Sequence, residues 1–218
     1  MKRAILSDIH ANLDALEAVL SDIRAQEVDQ LICLGDLVGY GKQPVECVDR
    51  AKSFDVCLLG NHDLAALCDL DDGAFEDVDK GTAHWTREQI QQHPEHWSFL
   101  CQLPRTWQDG DLLMVHGSPR NPVHEYVFPE DIHNAHKMDR IFSLVPQYCF
   151  VGHTHLPGVI LQQGEFLAPD SFSGVYELGA EKTMINVGSV GLPRDNDPRP
   201  CYVILDDRSL EFRRIPLT

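Results

Sequence analysis

Five times in this chain a short apolar run stops abruptly at aspartate, histidine or glycine. Asp8-Ile9-His10 follows Ala4-Ile5-Leu6, and Gly35-Asp36 follows Leu31-Ile32-Cys33-Leu34. Gly60-Asn61-His62-Asp63 follows the run at 55–59, His116-Gly117 the run at 112–115, and Gly152-His153-Thr154-His155 the run at 147–151. Apolar runs of this length, bounded by turn-forming residues, read as buried strands. Helical periodicity links the first of them: Leu13, Leu16, Val19, Leu20 and Ile23 recur within 12–26, and a second helix is expected over 45–52. Strands alternating with helices predict a parallel sheet with right-handed crossovers. In such a sheet ligands bind beyond the carboxyl ends of the strands, so one crevice would collect all five segments.

The remainder fits a single domain over 1–218, with a parallel half and an antiparallel half. Amphipathic helices are expected at 82–92 and 95–101, after an acidic stretch at 69–79 that reads as a solvated loop. Later strands are expected at 158–162, 183–187, 201–206 and 210–215, with Asp206-Asp207-Arg208-Ser209 as a hairpin turn. The 43% hydrophobic content is enough for one sizeable core in 218 residues. Eighteen basic against 34 acidic side chains give a formal charge of −16, which argues against a counterion-displacing duplex binder. Neither a signal peptide nor an apolar run of membrane-spanning length is expected. Seven cysteines, several in apolar runs and none in a CxxC pair, read as reduced core thiols of a cytoplasmic protein.

The strand-end residues carry chemistry. In extended chain, residues i and i+2 point to one side, so Asp8 should converge with His10 and His153 with His155. Each segment alone has a plainer explanation, such as a surface histidine or a Gly-Asp turn. Their joint occurrence at strand ends favours a metal site. Asp8, His10, Asp36, Asn61, His116, His153 and His155 make seven candidate ligands, too many for one tetrahedral ion and enough for two. Asp36, alone in its segment, is the candidate bridge. Two ions about 3.5–4 Å apart clamp the attacking and leaving oxygens of an in-line displacement. Imidazole and carboxylate without thiolate suit Mn, Fe, Zn, Co or Ni.

These motifs, over 4–199, resemble those of the calcineurin-like metallophosphoesterase superfamily, and in particular its small bacterial and archaeal YfcE-like branch. The resemblance implies an α/β fold in four layers, αββα, with two mixed β-sheets flanked by helices. It implies one ion on Asp8, His10, Asp36 and His155, and another on Asp36, Asn61, His116 and His153, with a hydroxide bridging them as nucleophile. His62 would stabilise the transition state or protonate the leaving oxygen, and Asp63 would orient His62. Asp63 can also be a helix N-cap. In serine/threonine phosphatases and dinucleoside tetraphosphatases an arginine follows the second motif and another opens the third. Both are absent here, where Leu59 precedes Gly60-Asn61-His62-Asp63. That favours a phosphodiester or small nucleotide as substrate over a phosphoprotein, with manganese foremost among the metals. Asn12 can contact phosphate or cap the first helix, and Arg194 can reach substrate phosphate or pair with Asp195 or Asp197. Tyr40 can line the pocket or simply pack. A phosphomonoesterase, or a scaffold that keeps the fold without catalysis, is the alternative. Long nucleic acid and membrane are not expected partners, and oligomeric state is left open.

Overall fold

Alternation along the first strand, β1 (Lys2–Leu6), sorts its side chains into two cores. Ala4 and Leu6 pack with helices, whereas Ile5 packs with strands of a second sheet. The computed structural model describes residues 1–68 and 78–217, and it extends this division across the molecule. The acidic residues Asp69, Asp71, Asp72, Glu76 and Asp77 of the expected loop lie outside the described residues.

The first half runs β1, α1 (Leu13–Ala25), β2 (Gln30–Cys33), α2 (Pro44–Ala51), β3 (Val56–Cys57) and α3 (Asn61–Leu67). As expected, β1, β2 and β3 are parallel. Next come α4 (Lys80–Gln91), α5 (Pro94–Cys101), β4 (Thr106–Asp109), β5 (Leu112–Val115), α6 (Ala135–Phe142) and β6 (Tyr148–Val151). The chain then continues through β7 (Gly158–Leu161), β8 (Glu165–Leu167), β9 (Val175–Glu177), β10 (Thr183–Asn186), β11 (Cys201–Asp206) and β12 (Ser209–Arg214). One mixed sheet is ordered β3-β2-β1-β11-β12-β9, the other β4-β5-β6-β10-β7-β8. The β11–β12 hairpin closes through Asp207 and Arg208, as the turn residues predict.

Three apolar layers fill the spaces between four structural ones. The first joins α1, α2, α4 and α5 to one face of the first sheet, through Leu16, Val19, Val48, Ile90 and Leu100. The second lies between the sheets, where Ile5, Ile32 and Val203 meet Met114, Phe150 and Ile185. The third packs Met138, Ile141 and Phe142 of α6 on Val115, Val151 and Met184. The fold is therefore the αββα sandwich. Helix α6 escaped the sequence reading although Met138, Ile141, Phe142 and Val145 follow helical spacing and Asn134 caps its start.

Caps fix where the helices begin. Asn12 Oδ1 accepts from Ala15 N at 3.1 Å, with Asp14 in the first turn of α1 and Arg24 in the last. Asp79 does the same for α4, accepting from Thr82 N at 2.7 Å. Each places a charge or dipole where the helix end needs one. Because β1, β2 and β3 run parallel, as do β5 and β6, their carboxyl ends face one side in each sheet, where the five motif segments lie.

Candidate metal centre

All seven expected ligand residues come together in the interior: Asp8, His10, Asp36, Asn61, His116, His153 and His155 are each at most 3% exposed. Their convergence does not come from extended chain, as the i, i+2 spacing suggested. Asp8, His10, Asp36, His153 and His155 all adopt φ between 50° and 66°, the left-handed region that bulky residues avoid. Each such residue costs about 1–3 kcal/mol, so the surrounding contacts must hold the turns in place. Asn186 Nδ2 donates to Gly152 O at 2.7 Å and Thr154 Oγ1 at 2.9 Å, bracing the His153–His155 turn. Ser189 Oγ donates to the Asp8 carbonyl at 2.9 Å. Gly152 is required by contact: a Cβ there would overlap Ser7 Oγ and Asp8 Oδ2.

Hydrogen-bond directions fix the imidazole tautomers. His10 Nδ1 faces the Val38 carbonyl at 3.2 Å and His155 Nδ1 the Leu192 carbonyl at 2.5 Å. A carbonyl only accepts, so both Nδ1 atoms carry hydrogen and, in the neutral rings, both Nε2 atoms are bare lone pairs. Those two lone pairs lie 3.0 Å apart. Asp8 Oδ1, 3.2 Å from His155 Nε2, joins them and has no hydrogen-bond partner among the described residues. In the other half, His153 Nε2 faces the His124 carbonyl at 3.3 Å, which leaves its Nδ1 bare and 3.2 Å from His116 Nε2. His116 Nε2 is also 3.0 Å from Asn61 Oδ1 and 3.3 Å from Asp36 Oδ2. The same Asp36 oxygen lies 3.7 Å from His10 Nε2, between the two sets.

Bare lone pairs facing one another repel unless a cation stands among them. Ligand bonds of about 2.0–2.2 Å at tetrahedral or octahedral angles put donor atoms roughly 2.9–3.5 Å apart. The 3.0–3.3 Å spacings within each set match that, whereas the Asp36 Oδ2 to His10 Nε2 distance is longer. Ring N–H groups tied to backbone carbonyls are the usual second support of metal-bound histidine. The residues therefore fit divalent metal.

Titration divides the cluster: His10 and His153 are held neutral, whereas His116 holds its proton beside Asp36. Burial opposes ionising Asp8 and Asp36, yet the adjacent imidazoles outweigh it, His155 foremost at Asp8 and His116 foremost at Asp36. Both carboxyls lie below their usual range. Burial first of all pushes His10 down to about 3 and His153 to about 4, keeping them neutral as ligands must be. Burial also pulls on His116, but the Asp36 carboxylate prevails and raises it to about 9.

A domain model described as the calcineurin-like phosphoesterase superfamily domain matches residues 1–209. The chain belongs to the calcineurin-like phosphoesterase superfamily. It is 34% identical over 215 residues to the uncharacterised protein MJ0912 of Methanocaldococcus jannaschii, spanning 96% of this chain and 84% of that one. Its fold superposes on a metallophosphoesterase from Sphaerobacter thermophilus with a TM-score of 0.82 and 36% identity, covering 100% of this chain and 90% of that chain. The phosphoesterase YfcE from E. coli shares the fold at a TM-score of 0.52 and 19% identity, covering 99% and 100% of the two chains.

Around the cluster, this superfamily member departs from several expectations. Asp63 does not cap α3; Gly60 stands at the cap, and Asp63 is the third helical residue. Nor are its oxygens turned to His62. Oδ2 accepts from Asp36 N at 2.8 Å and Gly60 N at 3.1 Å, and Oδ1 from Val38 N at 3.1 Å. Burial and the Asp36 charge lift its carboxyl to about 7, against the pull of these donors, which a carboxylate satisfies best. Asp63 thus positions the Asp36 and Asn61 segments. Asn12, besides capping α1, donates to Gly191 O at 3.0 Å, so its amide serves the scaffold rather than a phosphate.

His62 lies against the cluster, its ring edge-on to His10 at 5.0 Å between centroids. Its backbone N donates to Asp36 Oδ1 at 2.9 Å. Gly39, at φ 90°, makes room for that ring, since a Cβ there would come within 2.7 Å of His62 Nδ1. Tyr40 covers His62 and His10 at 4.6 and 4.8 Å and remains 43% exposed. Arg194 pairs with neither Asp195 nor Asp197, which bind Arg214 and Arg199; its Nη2 is 3.4 Å from the Tyr40 hydroxyl. Tyr126, which no sequence pattern flagged, stacks on His153 at 3.6 Å and 18°.

Proposed function

We propose that this protein is a dinuclear metal-dependent phosphoesterase acting on a small phosphodiester or nucleotide. The observation that supports it is the pair of ligand-atom clusters sharing Asp36 Oδ2: Asp8, His10 and His155 on one side, Asn61, His116 and His153 on the other. Two divalent ions held there, manganese foremost and Fe, Zn, Ni or Co by the same donor chemistry, would supply Lewis-acid charge for a phosphoryl group and acidify water at neutral pH.

The side chains supply the rest. His62 sits next to both clusters without belonging to the seven ligands, and its imidazole serves the leaving oxygen as proton donor or hydrogen-bond donor. Tyr40 screens His62 from one side, and its hydroxyl meets Arg194 at the exposed rim. There the guanidinium can engage a phosphate oxygen of an entering substrate. A formal charge of −16 cannot steer an anion from afar, and two divalent ions leave it near −12. Attraction is therefore local, which favours small esters over long nucleic acid. Among the described residues no helix is long and apolar enough to cross a membrane. The buried thiols of Cys33, Cys47, Cys57, Cys149 and Cys201 support a reducing, cytoplasmic setting.

Metal analysis with assay of the manganese-loaded protein against bis-p-nitrophenyl phosphate and p-nitrophenyl phosphate tests the reading. Preferential hydrolysis of the diester is expected. Bound metal with no turnover of either ester would refute an enzyme, and preference for the monoester would reassign it as a phosphomonoesterase.

A further inference from the structure

A second set of metal-type side chains lies away from the strand ends, where α5 meets α2. His93 is the N-cap of α5, Pro94 its first residue, and Glu95 and His96 complete the turn. Positions three apart on a helix share a face, so His93 and His96 stand side by side, their rings 5.1 Å apart. Proline at the first helical position fixes this turn before any ligand arrives. Ligand atoms of His93, Glu95 and His96 all lie within 4.8 Å of one another.

His96 is the informative member. It is only 4% exposed, at the start of a helix where its neighbours Pro94 and Glu95 are exposed. Its Nε2 lies 3.4 Å from Asp49 Oδ1 on α2. A carboxylate accepts, so Nε2 carries the hydrogen and Nδ1 of the neutral ring is a bare lone pair. That Nδ1 is buried and has no hydrogen-bond partner among the described residues. It faces Glu95 Oε1 at 3.8 Å, an acceptor opposite an acceptor. Two acceptors held this way are stabilised by a cation between them, and a carboxylate behind the far nitrogen is the usual support of a metal-bound imidazole. Lys52 Nζ at 3.6 Å and Arg50 Nη1 at 4.0 Å offset the Asp49 charge.

We propose that His93, Glu95 and His96 form a separate, peripheral site for a borderline divalent cation such as zinc, with Asp49 as a positioning residue. Two imidazoles and one carboxylate suit zinc, cobalt or nickel, and solvent completes the coordination on the exposed side of His93 and Glu95. The ion clips the start of α5, and through Asp49 it ties that start to α2.

The full-length protein, stripped with chelator and titrated with zinc, provides the test. His93→Ala removes one zinc equivalent relative to wild type, whatever number the central cluster takes, and leaves p-nitrophenyl ester turnover within twofold. Equal stoichiometry in the two proteins would overturn the site. Asp49→Asn keeps that equivalent but weakens it about 10–100-fold, and unchanged affinity would remove Asp49 from the proposal. Nitrogen-detected imidazole spectra of the wild type add a check that requires no substitution in the packed helix. Zinc should shift His96 Nδ1 and a ring nitrogen of His93 together, and unshifted signals at saturation would overturn the assignment.

Discussion

Asp63→Asn separates two roles for the buried carboxylate of α3. In the structure, Oδ2 holds the N–H groups of Asp36 and Gly60, and Oδ1 holds that of Val38. An asparagine oxygen placed at Oδ2 keeps two of these bonds, and its amide nitrogen then faces the Val38 N–H, donor against donor. Leaving that buried N–H unpaired costs about 1–3 kcal/mol, and losing charge assistance at the other two costs roughly 1 kcal/mol each. Removing a buried negative charge beside Asp36 offsets part of this, for a net loss of about 2–4 kcal/mol. For a chain of this size that lowers Tm by roughly 5–15 °C. Calorimetry of the metal-free variant reads this directly, and metal analysis should show weakened binding, because the Asp36 and Asn61 segments lose their common anchor. If Tm and metal content match wild type while only kcat falls, the carboxylate acts through His62 and the reasoning fails.

Four further outcomes are expected. His62→Ala keeps its metal and loses turnover by about 10²–10⁴-fold, and wild-type activity would remove it from the chemistry. Asp36→Asn, by contrast, loses metal from both clusters, so full occupancy in that variant would refute a shared ligand. Gly152→Ala brings a methyl onto Ser7 Oγ and Asp8 Oδ2, so both Tm and metal affinity fall; a wild-type melting curve would contradict that contact. Asp22 accepts hydrogen bonds from Arg213 Nε at 2.7 Å and Tyr202 Oη at 2.5 Å. The Arg213 bond foremost holds its carboxyl below the usual value, so this stabilisation is present above about pH 4 and disappears as pH falls through the lowered value. The Tm advantage of wild type over Asp22→Asn should therefore shrink between pH 5 and pH 2, and an advantage that grows on acidification would reverse the sign.

The cluster of candidate ligands was legible in the sequence because metal chemistry restricts residue type, and because strand ends restrict where such residues can meet. Asp8, His10, Asp36, Asn61, His116, His153 and His155 needed only those two constraints. Parallel pairing of β1, β2 and β3 was legible for a similar reason, since the alternating runs and helical spacings are local patterns. What supports the ligands was not legible. The carbonyls of Val38, Leu192 and His124 fix three imidazole tautomers, yet a carbonyl is present at every residue and leaves no trace in a pattern of side chains. The positive φ angles at Asp8, His10 and His153 are equally hard to read, because aspartate and histidine tolerate the left-handed region more than most residues but adopt it only where distant contacts impose it. Asp63 shows the limit most clearly. Its place beside His62 suggested a catalytic partner, but the fold brings three backbone N–H groups to its oxygens, two from the loop after β2 and one from the start of α3. Arg194 was likewise open between two aspartates and a substrate, until packing committed both aspartates to other arginines. Residue chemistry determined which groups could form the centre; competition among neighbours for the same hydrogen bonds, which exists only in three dimensions, decided what each of the others does.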